Sequence, residues 1–118
     1  MRSDAQLQLL HRLMDASEIR HRVLSQNVAN VNTPGYHRLD VEFEELLAQE
    51  LQGSGSSTAG GTVPQVVETT GLPQRADGNN VDIDQEIGQL NKNSLLYQTY
   101  AQLLASNLGM MRRAIDVP

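Results

Sequence analysis

Cysteine and tryptophan are absent from this 118-residue sequence, which contains one phenylalanine and three tyrosines. Without cysteine, the chain has neither a disulfide framework nor thiolate chemistry. Aromatic side chains normally supply much of the buried area of a globular core, so a large conventional core is not expected. Leucine, isoleucine, valine and methionine must provide most of the burial, and the length suits a single small domain covering residues 1–118.

Basic residues and long apolar runs are also scarce. Nine Lys and Arg against 14 Asp and Glu give a net charge of -5, whereas nucleic-acid binding requires a basic stripe. No apolar run is long enough to span a membrane. Residues 1–4 lead directly into an amphipathic pattern, without the apolar segment of about 7–15 residues that a secretory signal contains. We therefore expect no nucleic-acid partner, no membrane span and no cleaved signal peptide.

Residues 4–31 have the apolar spacing of one long helix. A first row alternates steps of 3 and 4, as in a heptad seam, and consists of Leu7, Leu10, Met14, Ser17, His21, Leu24, Val28 and Val31. A second row has the same type of spacing and consists of Leu9, Leu13, Ala16, Arg20 and Val23. Ser17 and His21 make the middle of the first row locally polar. The two rows form either one broad core-facing stripe or two surfaces for two different partners.

Residues 82–115 predict a second long helix, with Asp82 as its N-cap residue. The charges of Asp84 and Glu86 near its start suit the helix dipole, as do those of Arg112 and Arg113 near its end. Its first heptad row consists of Ile83, Ile87, Leu90, Ser94, Tyr97, Ala101, Leu104, Leu108, Met111 and Ile115. Its second row consists of Leu96, Tyr100, Leu103, Asn107 and Met110.

A tight turn is predicted where the first helix ends. Thr33 precedes a proline and is pushed towards extended backbone angles. Pro34 and Gly35 suit the two central positions of a type II turn, the second of which needs a positive φ. Asn30 and Asn32 tolerate the left-handed conformation that ends many helices. These residues predict a helix end followed by a sharp change of direction.

The rest of the segment between the two helices predicts little regular structure. Residues 41–52 favour a short amphipathic helix. Its acidic residues most often indicate a solvated face, and the less common alternative is contact with a basic partner surface. Residues 53–61 have the glycine and serine composition of a flexible linker. Residues 62–70 are β-prone, but Pro64 restricts them to a short edge strand or an extended segment.

Together these patterns predict a mainly α fold in which the two long terminal helices pack as a coiled-coil-like pair. Such a pair buries one row from each helix and leaves the second rows exposed. A long exposed apolar row on a soluble chain marks an interaction surface. We therefore expect a subunit that completes its core by packing against copies or relatives of itself.

Catalytic and metal-binding patterns find little support. His11 and Asp15 lie one helical turn apart, but no third ligand is patterned nearby. A calcium loop starting at Asp77 fails, because Val81 and Asp82 stand where an oxygen ligand and a glycine are required. No phosphate-binding loop, nucleophile elbow or zinc-helix motif is present. We expect no enzyme activity, no metal and no cofactor.

Two segments resemble a known family. Residues 27–36 resemble the N-terminal signature of the bacterial flagellar axial proteins, which are the rod, hook and hook-associated subunits. The signature is carried by Asn27, Asn30, Asn32, Thr33, Pro34, Gly35 and Tyr36. Residues 77–86 and 93–98 look like the C-terminal signature of the proximal-rod members, whose length is also similar. The chain is therefore identified as a candidate member of the flagellar basal-body rod proteins.

The resemblance implies a structural role in the bacterial flagellum. Such proteins are exported, unfolded or partly folded, by the flagellar type III apparatus without a cleaved signal. They assemble in the periplasm into the rod that transmits torque from the motor to the hook. The implied partners are other rod and basal-body subunits, including axial proteins and the adaptor between the MS ring and the rod.

The heptad rows give the residues expected to pack helices within and between subunits. They are Leu7, Leu10, Met14, Leu24, Val28, Ile87, Leu90, Tyr97, Leu103, Leu104, Leu108 and Met111. Two alternatives stay open at this point. One is another flagellar rod subunit that shares the first signature, and the other is a generic coiled-coil adaptor that forms a small defined oligomer.

Overall fold

Two long helices, Arg2–Ala29 (α1) and Ile83–Asp116 (α3), pack side by side in the computed structural model, which describes residues 2–52 and 61–116. Asn27 near the end of α1 contacts Glu86 in the first turn of α3, and Ser17, earlier in α1, contacts Asn93, later in α3. The helices therefore run antiparallel, and the predicted mainly α fold with paired terminal helices is confirmed. Most of the predicted linker, residues 53–60, lies outside the described residues.

The helix pair is elongated, and α3 is longer than α1. The molecule measures 69 × 32 × 16 Å along its principal axes. Thirty residues of α3 follow Glu86, whereas 25 residues of α1 precede Asn27. At about 1.5 Å per helical residue, α3 therefore extends about 8 Å past the start of α1.

Between the long helices lie a strand, Leu39–Glu42 (β1), a short helix, Glu44–Leu51 (α2), and a second strand, Gln65–Glu68 (β2). The strands form a two-stranded antiparallel sheet in which Leu39 is opposite Glu68. The predicted helix over residues 41–52 is thus too long at its start, because residues 39–42 pair with β2 instead. The prediction of a short edge strand after Pro64 is confirmed.

Residues from both heptad rows of α1 pack against other parts of the subunit. Ser17 of the first row is buried against α3, and Leu10 and Leu24, which share its row, are buried as well. Ala16 of the second row is 1% exposed and forms an apolar cluster with Phe43 and Leu47, with Leu9 and Leu13 packed beside it. The expectation that second rows stay exposed is therefore wrong for α1, because the segment around α2 covers this row.

The packed face of α3 differs from its predicted first row. Glu86 and Asn93 are the buried residues of this helix, and Leu90, Tyr97 and Leu104 are half-buried. Other members of the predicted row are between 41% and 79% exposed, namely Ile83, Ile87, Leu108 and Ile115. The prediction was wrong here because two polar side chains occupy core positions. Apolar spacing cannot detect a polar residue whose hydrogen-bond partner lies elsewhere in the chain.

Two ion pairs hold α2 and its flanks on α1. The Arg20 guanidinium pairs with both carboxylate oxygens of Glu44 at 2.6 Å and also donates to the Val41 carbonyl. Arg12 pairs with Glu50 at 2.9 Å. The hydrogen bond from Arg20 holds the pKa of Glu44 below its ordinary value, and Arg12 does the same for the pKa of Glu50. Both carboxylates therefore favour the docked position of α2 most strongly when ionised.

The turn after α1 forms as predicted at Pro34 and Gly35. Gly35 has a φ of 73°, and the Tyr36 amide donates to the Thr33 carbonyl at 3.2 Å, which closes the turn. No other residue type in the described chain adopts a positive φ. The expected left-handed conformation of Asn30 and Asn32 is therefore not observed. The Asn30 side chain instead donates to the Gln26 carbonyl, which satisfies one of the free carbonyls at the helix end.

Membrane insertion of a helix is not supported by the described part of the chain. Within residues 2–52 and 61–116, no helix combines the length and the apolar character needed to cross a bilayer.

The apolar cluster between α1 and α2 should be a principal source of stability. Leu47 is 7% exposed within this cluster, whereas Leu51 on the same helix is 65% exposed. Leu47→Ala should lower the free energy of unfolding by about 2–5 kcal/mol, through lost burial and the cavity left behind. Leu51→Ala should change it by about 0.5 kcal/mol or less. Denaturant titrations of the two variants provide the comparison, and equal losses would contradict the described packing of α2.

Candidate functional site

A cluster of polar side chains fills the space where α1 ends and α3 begins. We call it the polar junction, and it consists of Asn27, Tyr36, Arg38, Asn79, Asn80 and Glu86. Asn27 and Asn79 are fully buried, Glu86 is 1% exposed, and Arg38 and Asn80 are each 7% exposed. Buried polar groups are costly unless they are hydrogen-bonded, so the partners of these side chains determine whether the junction stabilises the fold.

Asn27 joins three parts of the chain. Its Nδ2 donates to the Leu39 carbonyl at 2.8 Å and to Glu86 Oε2 at 3.1 Å. Its Oδ1 accepts from the Leu39 amide and from the Tyr36 hydroxyl, each at 2.9 Å. One side chain at the end of α1 therefore fixes the first residue of β1, the turn tyrosine and the first turn of α3. Burial raises the pKa of Tyr36, so its hydroxyl keeps the proton that it donates to Asn27.

Arg38 and Glu86 form a buried ion pair at the centre of the junction. Arg38 Nε donates to Glu86 Oε1 at 2.5 Å, and Nη2 reaches Glu86 Oε2 at 3.5 Å. Nη1 donates to Thr69 Oγ1 at 2.9 Å and to Asp40 Oδ2 at 3.4 Å. Burial opposes the charge of Arg38, but the hydrogen bond and attraction of Glu86 outweigh it and keep the pKa of Arg38 above its ordinary value. The pair holds the segment before β1 against the start of α3.

Asn79 connects the two turns that precede β1 and α3. Its Nδ2 donates to the carbonyls of Asn30 and Thr33 at 2.9 and 2.8 Å. The Gly35 amide donates to the Asp77 carbonyl at 2.8 Å, so the backbones of the two turns also meet directly.

Gly78 lies beside Gly35, where these two turns meet. It has a φ of 84°, and a Cβ on it would be 3.5 Å from Gly35 Cα. A positive φ favours glycine, so the backbone conformation, more than the space available, explains the residue type at this position.

Asn80 completes the junction beside Arg38. Its Oδ1 accepts from the Arg38 amide at 2.6 Å, and its Nδ2 donates to the Thr69 carbonyl at 3.1 Å. The Asn80 amide itself donates to the Tyr36 carbonyl at 3.3 Å. The segment before α3 thus pairs with the segment before β1 through both backbone and side chain.

Asp82 begins α3 as predicted. Its Oδ1 accepts from the amides of Asp84 and Gln85 at 3.0 and 3.5 Å, which is the expected role of an N-cap side chain.

The seven signature residues have different environments. Asn27 is buried, and Asn30 and Tyr36 are half-buried, whereas the other four are exposed on the turn, namely Asn32, Thr33, Pro34 and Gly35. Sequence reasoning from residue type alone did not select Arg38, Asn79, Asn80 and Glu86. Asn79, Asn80 and Glu86 lie within the C-terminal signature, so that signature was the sequence feature that could have identified them. Arg38 had no such signal, because its role depends on partners up to 48 residues away.

The twelve residues expected to pack helices lie in three environments. Leu10 and Leu24 are buried. Leu7, Met14, Val28, Leu90, Tyr97 and Leu104 are half-buried. Ile87, Leu103, Leu108 and Met111 are between 37% and 52% exposed. The exposed four all lie on α3, which therefore carries apolar side chains that the subunit itself does not cover.

The chemistry of the junction is that of a structural connection. Its side chains hydrogen-bond to one another and to backbone groups. Within residues 2–52 and 61–116, no three His, Cys, Asp or Glu side chains are grouped to hold a metal ion. His11 and Asp15 lie 4.0 Å apart on the surface, with 75% and 60% of their side chains exposed.

Removing one member of the buried ion pair should destabilise the subunit strongly. Glu86→Leu leaves the Arg38 charge buried without its main partner and should lower the free energy of unfolding by about 3–5 kcal/mol. The double variant Arg38→Met/Glu86→Leu removes both charges and should recover a substantial part of that loss. Denaturant titrations of both variants measure the difference. Equal losses in the single and the double variant would contradict a penalty caused by the uncompensated charge.

Three known proteins with the same name are similar to this chain over most of its length. The flagellar basal body rod protein FlgB of Aeromonas hydrophila is 34% identical over 107 residues, which cover 81% of each chain. The protein of that name from Salmonella typhimurium is 31% identical over 129 residues, covering 93% of each chain. The protein from Escherichia coli is 30% identical over 92% of this chain and 91% of its own length. No protein-family model matches the sequence.

The similarity confirms the family that the two signatures indicate. Those signatures are brought together in the fold, because residues 27–36 and 77–86 supply five of the six side chains of the polar junction. Full-length similarity and the meeting of the two signatures lead to the same conclusion: this chain belongs to the FlgB family of flagellar basal body rod proteins.

Proposed function

We propose that this protein is a structural subunit of the proximal part of the flagellar rod. In this role it polymerises through its terminal helices and transmits torque for motility. The observation that carries the proposal is the apolar surface of α3 that the subunit leaves uncovered. The side chains that form it are between 37% and 79% exposed, and they are Ile83, Ile87, Leu95, Leu103, Leu108, Met110, Met111 and Ile115.

The distribution of these side chains supports packing between subunits. Apart from the exposed His21, both rows of α1 are buried or half-buried within the chain, whereas α3 buries only its central stripe. At about 100° per residue, Leu103 and Met110 lie on one flank of that stripe, and Ile83 and Ile87 lie on the other. Leu108 lies within the angular range of the stripe, about 30 Å along the helix from Ile87. Exposed apolar side chains on a helix flank indicate an interaction site. A subunit with two uncovered flanks on one helix can contact two neighbours at once, as a continuous tube requires.

The proposed partners follow from the family. We assign the uncovered flanks of α3 to other rod and basal-body subunits, including the adaptor between the MS ring and the rod. We assign the rod itself to the periplasm, with the subunit delivered by the flagellar export apparatus. The half-buried residues Leu7, Met14 and Val28 of α1 would stiffen the pair, and the role is mechanical and not enzymatic.

Loss of either terminal helix should abolish rod assembly. In a strain that lacks the gene, the full-length chain should restore swimming and should be recovered in isolated basal bodies. Chains without residues 1–31 or 82–118 should be expressed but should restore neither property, because each removes one half of the helix pair. Soft-agar swimming and immunoblots of basal bodies give the two readouts. Normal swimming with either truncated chain would refute the proposed function.

Two adjacent leucines separate packing within the subunit from packing between subunits. Leu104 is half-buried on the packed face of α3, and Leu103 is 49% exposed on one flank. Leu104→Ala should lower the melting temperature of the isolated subunit, because truncating a packed leucine loses burial and leaves a cavity. Leu103→Ala should leave the melting temperature almost unchanged but reduce incorporation into the rod.

Circular dichroism of both purified variants and swimming of both strains provide the comparison. If Leu103→Ala melts the subunit as much as Leu104→Ala does, the two side chains belong to one core. That result would refute the assignment of Leu103 to a neighbouring subunit.

A further inference from the structure

Methionine supplies all the sulfur chemistry of this sequence, because the sequence contains no cysteine. Three methionines lie within residues 2–52 and 61–116, namely Met14, Met110 and Met111. Met14 belongs to the first heptad row of α1 and is half-buried, whereas Met110 and Met111 of α3 are 52% and 37% exposed. An oxidant must reach the sulfur atom to react with it, so the two methionines of α3 are the more accessible ones in the free subunit.

Both exposed methionines owe their exposure to the geometry of the helix pair. Met111 follows Glu86 by the same 25 residues that separate the start of α1 from Asn27, so it is close to the level at which α1 begins. At about 100° per residue, Met111 lies on the side of α3 that faces α1, and Met110 lies on the flank that carries Leu103. Met111 is therefore exposed because α1 ends beside it, and Met110 because it points away from α1.

Oxidation would change the character of this surface. The methionine side chain is apolar and flexible, which suits it to contacts between helices, whereas methionine sulfoxide is polar and disrupts interfaces that contain methionine. Met110 shares its flank with Leu103, which is 49% exposed and is assigned above to a neighbouring subunit. A sulfoxide at Met110 would place a polar group on a surface that must be apolar to pack.

The fold of the subunit itself should tolerate the change. Met110 is outside the packed stripe of α3, so the sulfoxide oxygen can point into solvent without breaking a contact within the chain. In the assembled rod, in contrast, the flank is covered by a neighbour and the oxidant has no access to the sulfur. The reaction therefore acts on the free subunit and affects assembly more than folding.

We propose that Met110 and Met111 form an oxidation site at which hydrogen peroxide prevents the free subunit from entering the rod. A lone pair of the thioether sulfur attacks one peroxide oxygen, and the S–O bond forms as the O–O bond breaks. The departing hydroxide takes up the proton of the transferred OH group and leaves as water. The sulfur loses two electrons, which reduce the peroxide. The inference rests on the proposed rod function and adds to it a chemical requirement for assembly.

The order of oxidation tests the accessibility of the three sulfur atoms. The purified full-length subunit is treated with hydrogen peroxide, and peptides are analysed by mass spectrometry over time. Met110 should be oxidised first and Met111 second, and Met14 should react several-fold more slowly than Met110 because α3 partly covers it. The oxidised subunit should keep its melting temperature. Equal rates at Met14 and Met110 would overturn the proposed site.

Two substitutions at Met110 test the effect of polarity on assembly. Met110→Leu keeps an apolar side chain of similar size, and Met110→Gln introduces a polar one that resembles the sulfoxide. Both residue types are good helix formers, so the two variants should melt at the same temperature. Recovery in basal bodies should be normal for Met110→Leu. For Met110→Gln it should be about tenfold lower, the factor expected when one methionine side chain is no longer buried on assembly.

Two outcomes of this comparison would refute the assignment. Equal recovery of both variants would show that assembly does not depend on an apolar side chain at this position. A clearly lower melting temperature of Met110→Gln would show that Met110 serves the fold of the subunit.

Sensitivity of motility to peroxide tests the site in cells. Strains are treated with sublethal hydrogen peroxide while new flagella are being built, and swimming is then measured. The strain with the wild-type chain should lose swimming, whereas a strain with Met110→Leu/Met111→Leu should retain it, because leucine has no sulfur to oxidise. A strain with Met14→Leu should remain sensitive and is the matched control. Equal loss in the wild-type and the doubly substituted strain would overturn the proposal.

Failure of the oxidation site can be distinguished from failure of the proposed function. If the wild-type chain is recovered in basal bodies and Met110→Gln is recovered equally well, the rod function stands and the oxidation site is wrong. If the wild-type chain is absent from basal bodies, the proposed function itself is wrong, and with it the effect of oxidation on assembly.

Discussion

The buried contact among Asn27, Arg38 and Glu86 is the constraint on which the rest of the fold depends. These three side chains join the end of α1, the start of β1 and the first turn of α3. Replacing a buried ion pair by apolar residues is often neutral or stabilising, so stability alone does not explain it. The pair sets which residues of α1 and α3 meet, because any shift along the helices would leave charged groups buried without partners. We infer that the junction determines the register of the two helices.

In this register, the rest of the chain covers more of the surface of α1 than of α3. α1 is covered on one side by α3 and on another by the cluster of Phe43 and Leu47. α3 is covered only along the stripe that faces α1. The apolar side chains remaining on α3 are therefore available to other molecules, while α1 and the middle segment serve as its support. A chain with few aromatic residues can be built in this way, because much of its apolar surface is not required for its own core.

The sequence predicted the elements better than the faces they bury. Heptad spacing identified both long helices, and Asp82 and Pro34-Gly35 correctly indicated a helix start and a turn. Spacing failed on α3, where the buried positions are Glu86 and Asn93. Both are polar, and Glu86 and Asn93 hydrogen-bond to partners 59 and 76 residues away, respectively. The polar junction could be located only through the two family signatures, since local patterns carry no information about partners so distant in sequence.

The same long separations determine when the subunit can fold. Contacts between residues 59 and 76 positions apart require a large loop to close before they form. Neither long helix has its partner until nearly the whole chain has been synthesised. Because synthesis proceeds from the N-terminus, α1 is exposed well before α3 is present to cover it. Only a chain that includes its last helix can therefore form the packed helix pair.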